Sequence, residues 1–343
     1  MGVPAWGSRA KTDLSKGGST SGTESREDVG GPKSSAPVLQ DRQANSVHPP
    51  PARHLLIEFL DRHVGPGPWQ AELVAKSSNY VYRCDGPAGS VAIRTPRVGM
   101  ERPPAFWRQM REVFGLGFPP SPSQFRAVSS NVRGAGLMSP ELLVSGHLDG
   151  RPVFVTTWLS GQPWGPDQFP GDTATHRDLG SFLARMHQRA YEGFGVIDGQ
   201  LRPTSSYFDV AVESARATLE AHWSGSDSVL LLDVISRCDP ERISSSCSLV
   251  MPDIAANQFL FGPAGITGVV DLDSYVVGPI EMELTIAEWC LVNPDAFAEG
   301  YESVRPLPSF EPFRLFHRAT MLVNEPDLTG DIERLLQEKV YFD

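Results

Sequence analysis

The chain has 343 residues, ordinary apolar and charged fractions and a formal charge of -11, which is enough length for two lobes or two small domains. The acidic balance and the lack of a clustered Lys/Arg face exclude a nucleic-acid binder, because counterion release from phosphates needs such a face. No apolar stretch approaches the roughly 20 residues of a membrane span; the longest, around Val229 to Ile235, is broken by Asp233. The four cysteines, Cys84, Cys238, Cys247 and Cys290, form no CxxC pair, so buried small hydrophobes in a reducing compartment are expected rather than a zinc site or a disulfide framework. The first residues lack the basic-then-apolar layout of a signal peptide, and Trp6 stands where a myristoylation signal wants Ser or Thr, so the expected address is cytoplasmic. A small or cationic partner suits the charge.

Residues 1–52 are rich in Gly, Ser, Pro and charges and have almost no periodic apolar positions, so a disordered tail is expected. From residue 53, Leu55, Ile57, Phe59 and Leu60 alternate with polar residues in a short amphipathic helix that the Gly-Pro repeat at 65–68 ends. Two strand-like runs, 80–83 and 90–94, flank turn residues at 85–89 and predict a β-hairpin. One short helix is expected near 105–114, carrying the aromatic pair Phe106-Trp107, and a second over 123–133. Strands follow at 141–145 and 153–157. Beyond Gly161 the pattern turns helical: Leu179, Phe182, Leu183, Met186 and His187 mark one face of a helix over 175–190. A further helix is expected over 208–223, and from Met282 onward the chain reads as helices. Between these lie two short apolar strands, 258–261 and 266–270, joined by Gly262-Pro263-Ala264-Gly265.

That second hairpin carries the chemistry. Asp253 and Asn257 precede its first strand, and Asp271 and Asp273 follow its second, Asp271 standing 18 residues after Asp253. A hairpin returns the chain beside its own start, so a carboxylate, an amide and further carboxylates can converge at one end. Such an oxygen set suits Mg²⁺, a hard ion that takes one or two protein carboxylates and completes its shell with phosphates and water. The remaining Asp is then available as a base. Phosphoryl transfer is catalysed mainly by positioning and charge neutralisation, which such groups perform.

The run from Ser248 through Met251-Pro252-Asp253-Ile254-Ala255-Ala256-Asn257 to Leu260, followed by Val270-Asp271-Leu272-Asp273 and Gly278-Pro279, resembles the catalytic loop and metal-binding segment of aminoglycoside phosphotransferases. Upstream, Ser77-Ser78-Asn79-Tyr80 resembles the family's nucleotide-covering hairpin, Val91-Ala92-Ile93-Arg94 its lysine strand, residues 153–160 its strand and hinge, and Leu179 to His187 its helix ending in Met-His. The resemblance spans roughly residues 53–289. It implies an α+β, bilobed, protein-kinase-like fold, with an antiparallel N-lobe over 53–160 that covers a nucleotide and a mainly helical C-lobe over 161–343 that holds the catalytic loop and substrate cleft. It further implies ATP or GTP with Mg²⁺ as cofactors and transfer to a hydroxyl of an antibiotic, a natural-product-like small molecule or a biosynthetic peptide. By the same resemblance Asp253 is the catalytic residue, Asn257 and Asp271 hold the metal, and Asp273 is a second candidate metal or substrate contact. Thr157, Trp158 and Leu159 meet the adenine, while Ser77, Ser78, Asn79 and Arg94 meet the phosphates.

Three positions depart from the family's pattern. Arg94 replaces the phosphate-binding lysine, and the helix over 123–133 offers it no acid, leaving Glu101 or Glu112 as poor substitutes. Met251 stands where histidine is usual. Asn257 follows Asp253 by four residues, where five is typical. Two readings therefore stay open: a phosphotransferase, or a pseudokinase that binds a ligand or protein partner. His187 reads as a packed, hydrogen-bonded residue rather than a catalyst. At least half of Asp233, Asp239, Asp273, Glu281, Glu283 and Glu288 read as a solvated or helix-capping face. Trp158, Trp164 and Phe169 near the hinge read as core, with pocket lining as the alternative.

Overall fold

The computed structural model describes residues 47–97, 99, 103–163, 169, 171–238, 246–263, 265–309, 311–328 and 330–342. Most of the expected tail, together with Glu101, Trp164, Asp239 and Ala264, lies outside the described residues. Helix α1 (Arg53–His63) leads into five strands, β1 (Gln70–Lys76), β2 (Asn79–Gly86), β3 (Gly89–Pro96), β4 (Leu142–Leu148) and β5 (Arg151–Thr157). They form one antiparallel sheet in the order β1-β2-β3-β5-β4.

The two-residue period of these strands sorts their side chains. Tyr80, Tyr82, Cys84, Val91, Ile93, Val153 and Val155 join Leu56, Phe59 and Leu60 of α1 in a small core. Val81, Arg83, Ala92, Arg94 and Thr156 face the other way and line a cleft. Strand β1 is absent from the sequence expectation for a physical reason: it is an edge strand, exposed along almost its whole length, built from Ala, Glu, Leu and Lys, which favour helix.

The remaining elements are helical apart from short strands: α2 (Ala105–Phe114), α3 (Pro122–Gly134), α4 (Thr173–Met186), α5 (Tyr207–His222), α6 (Ser226–Arg237), α7 (Ile280–Cys290), α8 (Pro294–Glu302), α9 (Glu311–Leu322) and α10 (Ile332–Gln337), with β6 (Gln162–Pro163), β7 (Gly193–Phe194), β8 (Arg202–Pro203), β9 (Cys247–Val250), β10 (Phe259–Gly262), β11 (Gly265–Val269) and β12 (Val276–Pro279). Local signals start the helices. Ser121 caps α3 by accepting from Gln124 N, with Pro122 at its first position, and Asp172 caps α4 by accepting from Thr175 N. Helices α4 and α8 approach closely because Gly180 and Gly300 each face the other helix's backbone; a Cβ on Gly180 would stand 2.1 Å from the Phe297 carbonyl oxygen, and one on Gly300 2.1 Å from that of Arg177.

Although α2 is encoded between β3 and β4, it packs on the helical part. Arg108 donates to Thr218 Oγ1 at 3.0 Å and Gln109 to the Thr320 carbonyl at 2.8 Å. All of α7 is buried, which overturns the solvated reading for Glu281, Glu283 and Glu288; Asp273 is buried as well. Glu288 is the hub of an internal ion cluster: its carboxylate accepts from Arg314 Nε at 2.9 Å, Arg318 Nη2 at 3.0 Å and the Tyr341 and Phe342 amides at 3.1 and 3.2 Å. The two guanidiniums go on to carbonyls of Leu336, Glu338, Lys339 and Phe342, fastening the last segment of the chain to α7 and α9. Asp233 alone of the described acids in that group sits in an exposed pair, with Arg237.

Cys84, Cys247 and Cys290 are buried, and Cys238 is half-buried. All four are free thiols, and burial pushes Cys84 and Cys247 up to about 12. Among the described residues no helix is long and apolar enough to cross a membrane.

Candidate active site

Two ladders assemble the loop that carries Asp253. Strands β9 and β12 pair antiparallel with Val250 opposite Val276. Asp253, three residues after that pair, and Asp273 and Ser274, just before it, are thus brought together. At the far end of the loop β10 and β11 pair with Phe259 opposite Val269, and Val270 N donates to the Gln258 carbonyl at 2.9 Å, which returns Asp271 beside the single 3₁₀ turn Ala256–Gln258 that contains Asn257. Gln258 staples the loop, donating to the Asp253 carbonyl at 2.9 Å and accepting from Ala255 N at 3.1 Å. Ser274 Oγ donates to Asp253 Oδ1.

Asp253, Asn257, Asp271 and Asp273 line one cleft of about 560 Å³ with Ser77, Ser78, Asn79, Arg94, Thr157, Trp158 and Leu159. Every residue expected at the site from the sequence therefore borders the same space. The apolar end is formed by Val81, Ala92, Leu159 and Leu260, and Phe106 and Trp107 of α2 reach in from the helical part. Gly161, at φ 137°, turns the chain from β5 toward β6 with Leu260 too close for a larger residue.

Burial dominates the electrostatics. It raises Asp253 to about 7, with the Asp271 carboxylate adding to the effect and the Ser274 hydroxyl opposing it. Asp273 is raised to about 6, again by burial, against the pull of Arg94 and Asn79. Arg94 crosses from β3 to this segment: Nη2 lies 3.1 Å from Asp271 Oδ1 and 2.8 Å from Asp273 Oδ2, and Nη1 lies 3.3 Å from the Val270 carbonyl. Asn79 Nδ2 donates to Asp273 Oδ2 at 2.7 Å. The preceding turn is held too, as Trp107 Nε1 donates to Ser78 Oγ at 3.3 Å and Arg97 Nε to the Ser77 carbonyl.

A family model described as the phosphotransferase enzyme family matches residues 71–309. The chain belongs to that family. No curated protein matches its sequence. Among solved structures, the macrolide 2'-phosphotransferase from Brachybacterium faecium is similar at 13% identity and TM-score 0.52, over 83% of this chain and 97% of its own. A spectinomycin phosphotransferase in complex with ADP and spectinomycin shares 15% identity at TM-score 0.52, over 84% of this chain and 90% of its own. A thermostable mutant of an aminoglycoside phosphotransferase, in ternary complex with ADP and hygromycin B, shares 12% at TM-score 0.56, over 83% of this chain and 99% of its own. At these identities the matches establish the protein-kinase-like fold.

Two of the three departures from the phosphotransferase pattern, Arg94 and Met251, have structural accounts. Arg94 finds its acids in Asp271 and Asp273, just after β11; Glu112 instead accepts from Ser214 Oγ at 2.7 Å. At the position of the missing histidine, the Met251 amide donates to Glu283 Oε1 at 2.6 Å, and the other carboxylate oxygen of Glu283 lies 2.6 Å from His187 Nε2. His187 Nδ1 lies 2.8 Å from Tyr301 Oη, so His187 is a packed, hydrogen-bonded residue as expected. Trp158 lines the cleft under the Arg83 guanidinium, 5.2 Å from its ring centroid, whereas Phe169 is core against Phe259. Ser274, Gln258, Glu283 and Trp107 are site-building residues that the sequence did not reveal, since each acts through a partner remote in sequence or through a main-chain group.

Among the described residues no three His, Cys, Asp or Glu side chains group as a metal cage. The oxygen donors of Asp271, 39% exposed toward the cleft, and Asn257 nonetheless fit Mg²⁺, which leans on substrate phosphates for the rest of its shell. Removal of the loop anchor has a defined outcome. Glu283→Ala is expected to leave the Met251 amide and His187 Nε2 without their partner and lower stability by about 1–3 kcal/mol for each buried group, read as a fall in urea midpoint.

Proposed function

We propose that the protein transfers the γ-phosphoryl group of ATP or GTP to a hydroxyl of a small molecule, antibiotic or natural-product-like, or of a biosynthetic peptide. The observation that carries this reading is Asp253: a buried carboxylate bordering the cleft, fixed by Ser274 and Gln258 and raised to about 7. A base poised near neutral pH combines the right protonation state with driving force for accepting the acceptor hydroxyl's proton. Asn257 and Asp271 would hold Mg²⁺, which when bound neutralises phosphate charge. In this reading Thr157, Trp158 and Leu159 border the purine, and Ser77, Ser78 and Arg94, which line the same cleft, meet the phosphates. Two of the similar structures are complexes with ADP and an antibiotic, which supports a nucleotide and a small-molecule acceptor as the ligands.

The test is incubation with γ-labelled ATP or GTP, Mg²⁺ and a panel of hydroxyl acceptors: aminoglycosides, macrolides and hydroxyl-bearing peptides. Label is expected in one acceptor class. A second reading, a pseudokinase that binds a ligand or protein partner, is favoured by the ties from Arg94 and Asn79 to Asp271 and Asp273, which occupy the groups a metal would need. It expects thermal protection by that partner and none by nucleotide with Mg²⁺.

A further inference from the structure

Arg94 is almost wholly buried, as is Asp273, while Asp271 stays open to the cleft. Its fork holds three acceptors at once, the Asp271 and Asp273 carboxylates and the Val270 carbonyl. A lysine ammonium, a point charge on a flexible stem, does not span such a set. Helix α3, PSQFRAVSSNVRG, offers no acid to draw the guanidinium back toward the sheet. All three acceptors belong to residues 270–273, whereas Arg94 and Asn79 stand on β3 and β2, so these bonds join the nucleotide-covering sheet to the metal-binding segment.

We infer that Arg94 is a resident counter-cation for Asp271 and Asp273: it competes with a divalent metal for these carboxylates and, with Asn79, latches the sheet onto the segment below. The inference rests on the reading of Asp271 as a metal ligand. Loading the cleft then requires Arg94 to leave the carboxylates, and the phosphates of a nucleotide are a natural new partner for its fork. Replacing the arginine removes a fixed positive charge about 3 Å from two carboxylates, which strengthens their attraction for a divalent cation.

The experiment measures binding of Mn²⁺ alone to the full chain by electron paramagnetic resonance. Arg94→Met is expected to bind Mn²⁺ at least tenfold more tightly than the unaltered protein, and Asp271→Ala in that background to abolish the gain. Equal or weaker affinity in Arg94→Met overturns the inference, because an arginine that merely orients the carboxylates would take metal affinity with it when removed. If Arg94→Met does not fold, Arg94→Lys serves: it is expected to show a smaller gain, and an unchanged affinity overturns the inference equally. Nucleotide binding is scored separately. A Mn²⁺ gain without any nucleotide binding upholds the counter-cation and defeats the phosphotransfer reading, and the converse result does the opposite.

Discussion

Asp253→Asn is expected to lower phosphoryl transfer by about 10²–10⁴-fold, the usual contribution of a positioned base, while making the nucleotide-free protein more stable at alkaline pH. The two effects have one origin. Burial raises Asp253 from 3.8 to about 7, so between those values the folded protein holds a proton that the unfolded chain has released. Stability from this group is therefore fully present below about pH 4 and is lost as pH rises through about 7. The loss at pH 8 is on the order of a few kcal/mol. An amide at the same position carries no charge to desolvate and escapes it. Asp273, raised to about 6, leaves a residual slope of the same sign. Melting temperatures at pH 5 and pH 8 check this: the unaltered protein should lose more over that interval than Asp253→Asn. A variant that keeps full transfer activity, or melts lower than the parent at pH 8, contradicts the assignment.

The largest stability effect is expected at Glu288, far from the cleft. Glu288→Ala takes the shared carboxylate from two buried guanidiniums, Arg314 and Arg318, and from the Tyr341 and Phe342 amides. Breaking a buried pair from one side typically costs about 3–5 kcal/mol, because the remaining charge is stranded without water. Urea unfolding should show that loss, and the segment after α10 should exchange its amides faster in Glu288→Ala than in the parent. A change below about 1 kcal/mol would mean that the arginines are solvated on their own.

Much of the fold is legible in the sequence because its local signals are strong. The hairpin β10–β11, flanked by apolar runs and a Gly-Pro turn, places Asp253, Asn257 and Asp271 on one cleft, and the glycine- and proline-punctuated strands β2 and β3 carry Asn79 and Arg94 to the same space. Other features carry no local signal. Strand β1 is exposed and helix-like in composition. The pairing of β9 with β12, which sets Asp253 against Ser274, joins segments separated by the whole β10–β11 hairpin. Helix α7 hides three glutamates that resemble a solvated face; two of them, Glu283 and Glu288, find partners in His187 just after α4, in α9 and in the residues after α10. The partner of Arg94 is the same kind of omission: a search for an acid in the helices after β3 misses carboxylates 177 and 179 residues downstream.

The central claim is that the cleft binds nucleotide through a metal held at Asp271 and Asn257. The most direct measurement is the melting temperature with ATP or GTP, with and without Mg²⁺, in the unaltered protein and in Asp271→Ala. The account predicts a rise that needs Mg²⁺ and disappears in the variant, corresponding to about 2.7 kcal/mol when nucleotide stands at 100 times its Kd. No rise with either nucleotide at millimolar concentration, or an equal rise without metal, would contradict it.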